Sequence, residues 1–235
     1  MNLKVSHLFK SYDKPIIQDF SYTFEDNHIY AITGPSGCGK TTLLYLLGFL
    51  EKKDQGSILI DDKEPKSIQK LYKHTIGFLF QNYALIENET IEQNLKMILK
   101  KDQYSLIPEV LKQVGIEVPI TQKIYKLSGG QQQRIALARL LLHDTKIILC
   151  DEPTGNLDKE NRDIVFDILY KLSRKGKIVI MVTHDLELAP RCDEEIEPLI
   201  FKGGQKKTRF IYLGVSTCKG QSEMTALYCA HITSI

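Results

Sequence analysis

The chain has 235 residues, enough for one large α/β domain or a domain with a small inserted subdomain, and too few for two such domains. Its 31 basic and 29 acidic residues leave a formal charge of +2, which removes the electrostatic case for a nucleic-acid binder. No apolar run reaches the ~18 residues of a membrane span, and the start Met-Asn-Leu-Lys-Val-Ser-His lacks the apolar core of a signal peptide, so a cytoplasmic protein is expected.

Residues 3–9 and 19–24 alternate polar and apolar side chains, the pattern of an antiparallel pair at a sheet edge. Between them Ser11-Tyr12-Asp13-Lys14-Pro15 reads as a turn. Tyr12 there offers a face for stacking on an adenine, against the plainer reading of a surface tyrosine beside a turn. Residues 29–33 form a short apolar strand, and the next stretch is Gly34-Pro35-Ser36-Gly37-Cys38-Gly39-Lys40-Thr41-Thr42. It meets the phosphate-loop pattern at every fixed position. A strand that turns sharply into a helix while aiming its amides at phosphate oxygens needs glycine wherever a side chain would block the approach. Lys40 adds a point charge near the outer phosphates, and Thr41 offers a hydroxyl to Mg²⁺.

A helix apolar on most faces is expected over 42–50, beneath that loop. Residues 57–60 read as a strand with Asp61, Asp62 and Lys63 as its turn, and residues 76–80 as another that ends on Gln81 and Asn82. Open α/β sheets place ligand-contacting groups at such strand ends. Helical periodicity over 90–100 and 107–114, with Gly115 as a stop, marks a polar helical insertion that runs to Leu127.

Ser128, Gly129 and Gly130 precede a helix over 131–143 that carries Arg134 and Arg139. Free amides and the helix macrodipole make this a second potential anion site, although serine is also a common structural cap. Residues 146–150 are a continuous apolar strand of the buried parallel kind, ending in Asp151 and Glu152. Two carboxylates at the tip of a core strand require a cation or hydrogen bonds to offset desolvation. Asp151 suits a Mg²⁺ ligand, whereas Glu152, turned elsewhere by strand alternation, suits the orientation and deprotonation of a water. A solvated turn is the competing explanation. Asp158 stands before a helix over 159–174, where a capping acid is expected in any case, and Gly176 ends that helix. Past the strand over 178–182 comes His184, at the same edge as the phosphate loop and Asp151. The five cysteines, Cys38, Cys150, Cys192, Cys218 and Cys229, show no CxxC pair and read as free thiols.

In this order the pieces resemble the nucleotide-binding subunit of an ATP-binding cassette (ABC) transporter over roughly residues 1–200. Residues 34–41 resemble its Walker A loop, Leu127-Ser128-Gly129-Gly130-Gln131 its signature motif, and residues 147–152 its Walker B strand. Gln81 matches the Q-loop, Asp158 the D-loop, His184 the switch histidine and Tyr12 the adenine-stacking aromatic. The resemblance implies an α/β P-loop NTPase cassette with a mixed β-sheet core, an antiparallel β edge and a helical subdomain at about 86–143. The cassette would span 1–202, leaving 203–235 an unassigned tail, and Pro198 would interrupt a further strand.

The same resemblance implies ATP and Mg²⁺ as ligands. Lys40 and the loop amides would hold the phosphates, Thr41, Gln81 and Asp151 the Mg²⁺, Glu152 the attacking water and His184 the γ-phosphate. It further implies a head-to-tail homodimer in which Ser128, Gly129, Gly130 and Gln131 complete the partner's site, working on a separate membrane permease at the inner face of the cell membrane. Gly155-Asn156-Leu157-Asp158 resembles the branch of lipoprotein-releasing, macrolide-exporting and antimicrobial-peptide transporters, and residues 78–88 resemble bacteriocin-export ATPases of the lactococcin type. A lipoprotein-release, macrolide-efflux or cell-division complex is the alternative. DNA-repair and translation relatives carry coiled coils, zinc inserts or two cassettes that this chain lacks, and a non-catalytic regulatory subunit fits poorly with Glu152 and His184 both present.

Overall fold

A computed structural model describes residues 1–155 and 157–197. Asn156, Pro198, Cys218, Cys229 and the tail expected over 203–235 lie outside the described residues. The chain opens with β1 (Asn2–Ser11), β2 (Pro15–Glu25), β3 (His28–Ile32), α1 (Lys40–Leu47), β4 (Gln55–Ile60), α2 (Ile68–His74) and β5 (Ile76–Leu79). It continues through α3 (Ile91–Lys96), α4 (Ile107–Gln113), α5 (Gly129–His143), β6 (Ile147–Asp151), α6 (Lys159–Ser173), β7 (Ile178–Val182) and β8 (Glu194–Ile196).

The strands form two sheets. β1 and β2 pair antiparallel, and β4 joins the other side of β1, giving the order β2-β1-β4. The second sheet is parallel, in the order β5-β6-β7-β3-β8. The expected mixed core with an antiparallel edge is thus divided between two sheets, each with one kind of pairing. Side chains alternate across a strand, and that alternation sorts the parallel sheet into two cores. Ile147, Leu149, Ile178, Ile180, Val182, Tyr30 and Ile32 face one core with all of buried α1 and the antiparallel sheet. Ile148, Cys150, Val179, Met181 and Ile29 face the other, with α3, α4, α5 and α6. Strands covered on both faces read as unbroken apolar runs, as the sequence showed for β6 and β7. Truncating a fully buried member such as Leu149 would cost about 2–5 kcal/mol.

Several boundaries differ from expectation. α1 starts at Lys40 rather than residue 42 and ends at Leu47, because Gly48 forms the cap and Phe49 turns left-handed at φ 58°. A Cβ on Gly48 would lie 2.7 Å from the Phe78 ring, so glycine permits the close approach of α1 to β5. The helix expected over 90–100 stops at Lys96, and a separate 3₁₀ turn follows at Lys101–Leu106. α5 begins two residues early, at Gly129, because Ser128 and Gln131 cap each other's amides at 3.3 and 3.0 Å. α2 and β8 were not expected. β8 carries two glutamates in three residues and is docked through Asp193, which accepts from the Ile29 amide at 2.8 Å and pairs with Arg174.

Candidate nucleotide site

Residues 34–39 join the C-terminal end of β3 to the start of α1 in the sharp strand-to-helix turn that the pattern demands. Gly34, Gly37 and Gly39 take φ of 131°, 79° and 81°, conformations that side chains rarely adopt. A Cβ on Gly39 would also meet Ile16 Cγ2 at 2.7 Å. Pro35, Ser36 and Gly37 are exposed at the crest, while Cys38 and Thr42 are buried beneath it. Burial pushes the Cys38 thiol up, so it is an uncharged packing group. Lys40 is 5 % exposed and donates to the carbonyls of Gly34 at 2.9 Å and Pro35 at 3.0 Å, which holds its charge inside the loop.

Thr41 donates to Asp151 Oδ1 at 3.1 Å, joining the first residues of α1 to the tip of β6. Asp151 is fully buried, and its Oδ2 has no hydrogen-bond partner. Burial raises its pKa to about 6, against the opposing hydroxyls of Thr41 and Tyr45. A buried, orphaned carboxylate oxygen beside a threonine hydroxyl fits a hard cation. Among the described residues no group of three His, Cys, Asp or Glu side chains gathers as a metal cage. Mg²⁺ suits such a place, since it is held by one or two protein oxygens together with water and substrate phosphates.

Glu152 lies past the end of β6 and takes φ 50°, an uncommon conformation for a non-glycine residue. Its direction is therefore set by a left-handed turn of the backbone, not by the strand alternation expected from sequence. That turn brings Glu152 Oε2 to 3.3 Å from the His184 amide and Oε1 to 3.2 Å from His184 Nε2. Burial raises the Glu152 carboxyl, and burial followed by the Lys40 charge lowers His184. Lys40 also acts on Asp151 and Glu152, so one cation serves both carboxylates and the imidazole.

The remaining expected residues lie farther out. Gln81 is exposed two residues beyond β5, at the C-terminal edge shared with Asp151. Tyr12 is exposed on the β1–β2 turn, with Lys10 Nζ 4.8 Å from its ring centroid. Asp158 caps α6, accepting from the Asn161 amide at 2.9 Å. Ser128, Gly129, Gly130 and Gln131 head α5, which packs on the sheet face opposite α1. The two helix starts are thus separated by the parallel sheet.

The sequence named Arg139 without assigning it a partner. It is 8 % exposed and donates to the carbonyls of Ala84 at 2.6 Å and Tyr83 at 2.9 Å. Asn94, fully buried, was not singled out, yet its amide bonds both backbone groups of Ile86 and the Thr90 carbonyl. A polar residue at an apolar-phase position of a short helix was the available signal for Asn94.

A family model described as ABC transporter matches residues 17–155. The chain is 33% identical over 210 residues to the uncharacterized ABC transporter ATP-binding protein YvrO of Bacillus subtilis, covering 83% of this chain and 92% of that one. It is 36% identical over 187 residues to the lipoprotein-releasing system ATP-binding protein LolD of Rickettsia felis, covering 76% and 84%. The dimeric structure of a post-hydrolysis state of the ATP-binding cassette MJ0796, bound to ADP and Pi, superposes with a TM-score of 0.76 at 30% identity, over 83% of this chain and 93% of that one.

Proposed function

The chain belongs to the ABC transporter family of ATP-binding cassettes, and from that premise we propose that it hydrolyses ATP through the residues gathered at the C-terminal edge of its parallel sheet to drive a separate membrane permease. The observation that carries the residue assignment is the pair of contacts at the tip of β6: Thr41 with Asp151, and His184 with Glu152. Lys40 and the free backbone amides of the loop bind the β- and γ-phosphates, and Tyr12 stacks on the base. Thr41, Asp151 and Gln81 would hold Mg²⁺, which would supply charge neutralisation to the phosphates. Glu152 accepts the proton of an in-line water, while His184 fixes that carboxylate and reaches the γ-phosphate.

One triphosphate does not need two phosphate-binding helix starts on opposite faces of a sheet. The placement of Ser128, Gly129, Gly130 and Gln131 away from α1 supports a head-to-tail dimer, in which each chain's α5 start and Asp158 meet the other chain's nucleotide. The MJ0796 cassette is dimeric in its ADP and Pi state. Among the described residues no helix is long and apolar enough to cross a membrane, which supports a separate permease and a place for this chain on the membrane's inner face. The cassette is proposed to span 1–202, with 86–143 as its helical subdomain, a division supported by the packing of α3 and α4 on α5.

Residues 78–88 favour export of a bacteriocin or other antimicrobial peptide. Likeness to LolD favours lipoprotein release as the second reading. Phosphate release from ATP by the purified chain tests the ATPase, and identification of the membrane protein that co-purifies with it separates the two cargo readings.

A further inference from the structure

Between Gln81 and α3 the backbone takes two consecutive left-handed residues, Tyr83 at φ 64° and Ala84 at φ 51°. Neither is glycine, so the surrounding structure has to hold them there. It does so from both sides. Arg139, in the middle of α5, donates from its two terminal nitrogens to the Ala84 and Tyr83 carbonyls at 2.6 and 2.9 Å. Asn94 of α3 holds both backbone groups of Ile86 at 2.8 and 3.1 Å.

The Tyr83 side chain points back along the same helix. Its hydroxyl would lie 3.7 Å from a Cβ on Gly129, at the start of α5. Tyr83 therefore faces α5 at two places, with its carbonyl bonded to Arg139 and its hydroxyl near Gly129, next to the Ser128 cap. Gln81 lies only two residues upstream. A planar guanidinium that bonds two successive carbonyls fixes orientation as well as distance, which a lysine ammonium cannot do.

We propose that Arg139 is a positioning residue of the ATPase cycle: its clamp on Tyr83 and Ala84 makes Gln81 and the Ser128 start of α5 move as one body. Each chain then ties its own Mg²⁺ end to the surface it offers the other chain's nucleotide. The inference rests on the dimeric ATPase assignment above and adds to it a residue and a physical link.

The test uses Arg139→Lys in a Glu152→Gln background, with ATP and Mg²⁺, read by light scattering so that turnover plays no part. Loss of the planar fork that orients both carbonyls raises the ATP concentration for half-dimerisation by about tenfold or more, while ATP affinity of the single chain changes by less than about twofold. Dimerisation of a folded Arg139→Lys chain at the unchanged ATP concentration overturns the proposal and leaves Arg139 a packing residue. Should Arg139→Lys not fold, Ala84→Gly is added, because glycine takes the left-handed conformation without strain. The double variant folds and shows the same shift; failure of it to fold also overturns the proposal. If Glu152→Gln alone does not dimerise with ATP, the dimer assignment itself has failed, which separates the two outcomes.

Discussion

Glu152 and His184 meet twice: the His184 amide and ring Nε2 lie 3.3 and 3.2 Å from the two oxygens of one carboxylate. Burial raises Glu152 and lowers His184, so near neutral pH the imidazole that faces this carboxyl is uncharged. If Glu152 is the base, turnover falls on acidification through a limb above the carboxyl's ordinary 4.5. A kcat–pH profile that stays flat down to that ordinary value would remove Glu152 from the role.

Asp151 gives a stability prediction. Its folded pKa of about 6 lies above the ordinary 3.8, so the folded chain binds the extra proton. The stabilising protonated form is fully present below the ordinary value and is lost as pH rises through about 6. Asp151→Asn should therefore stabilise the Mg²⁺-free protein at pH 7 by roughly 1–3 kcal/mol, and erase the gain in melting temperature that Mg²⁺ with ATP produces. Equal melting temperatures for the two chains without Mg²⁺ would count against a raised Asp151 carboxyl.

Lys40→Ala should lower ATP affinity itself by about tenfold or more, because the loop loses the cation that it holds on the Gly34 and Pro35 carbonyls. Isothermal titration with ATP checks this. Unchanged affinity contradicts the phosphate-loop assignment.

Tyr12→Ala should weaken ATP binding by roughly 5- to 100-fold through loss of stacking, with kcat little changed, whereas Tyr12→Phe should keep wild-type affinity. Its 53% exposure makes a large folding effect from either change unexpected. Equal ATP affinities for Tyr12→Ala and wild type would return Tyr12 to a plain surface residue.

The phosphate loop was legible because it is a backbone demand, with Gly34, Gly37 and Gly39 at three positive φ angles. Asp151 and Glu152 were legible as an oddity, two acids at the tip of an apolar strand. What sent them to different partners was not, since Glu152's φ of 50° is a property of the folded turn. Pairing of β4 with β1 and the split into two sheets depend on contacts between residues far apart in the chain, as between Leu3 and Ile60. β8 escaped notice because an edge strand of Glu194, Glu195 and Ile196 carries one apolar residue. Arg139 could be read as a helical arginine, but its acceptors are backbone carbonyls, and these leave no mark in a sequence.

In the proposed cycle ATP joins two of these chains and Glu152 breaks the joint by hydrolysis. Light scattering of Glu152→Gln with ATP and Mg²⁺, with phosphate release followed in the same sample, tests it most directly. Twice the monomer mass is expected with ATP, monomer mass with ADP, and phosphate release reduced by about 10²-fold or more. A monomer in saturating ATP, or phosphate released at the wild-type rate, would contradict it.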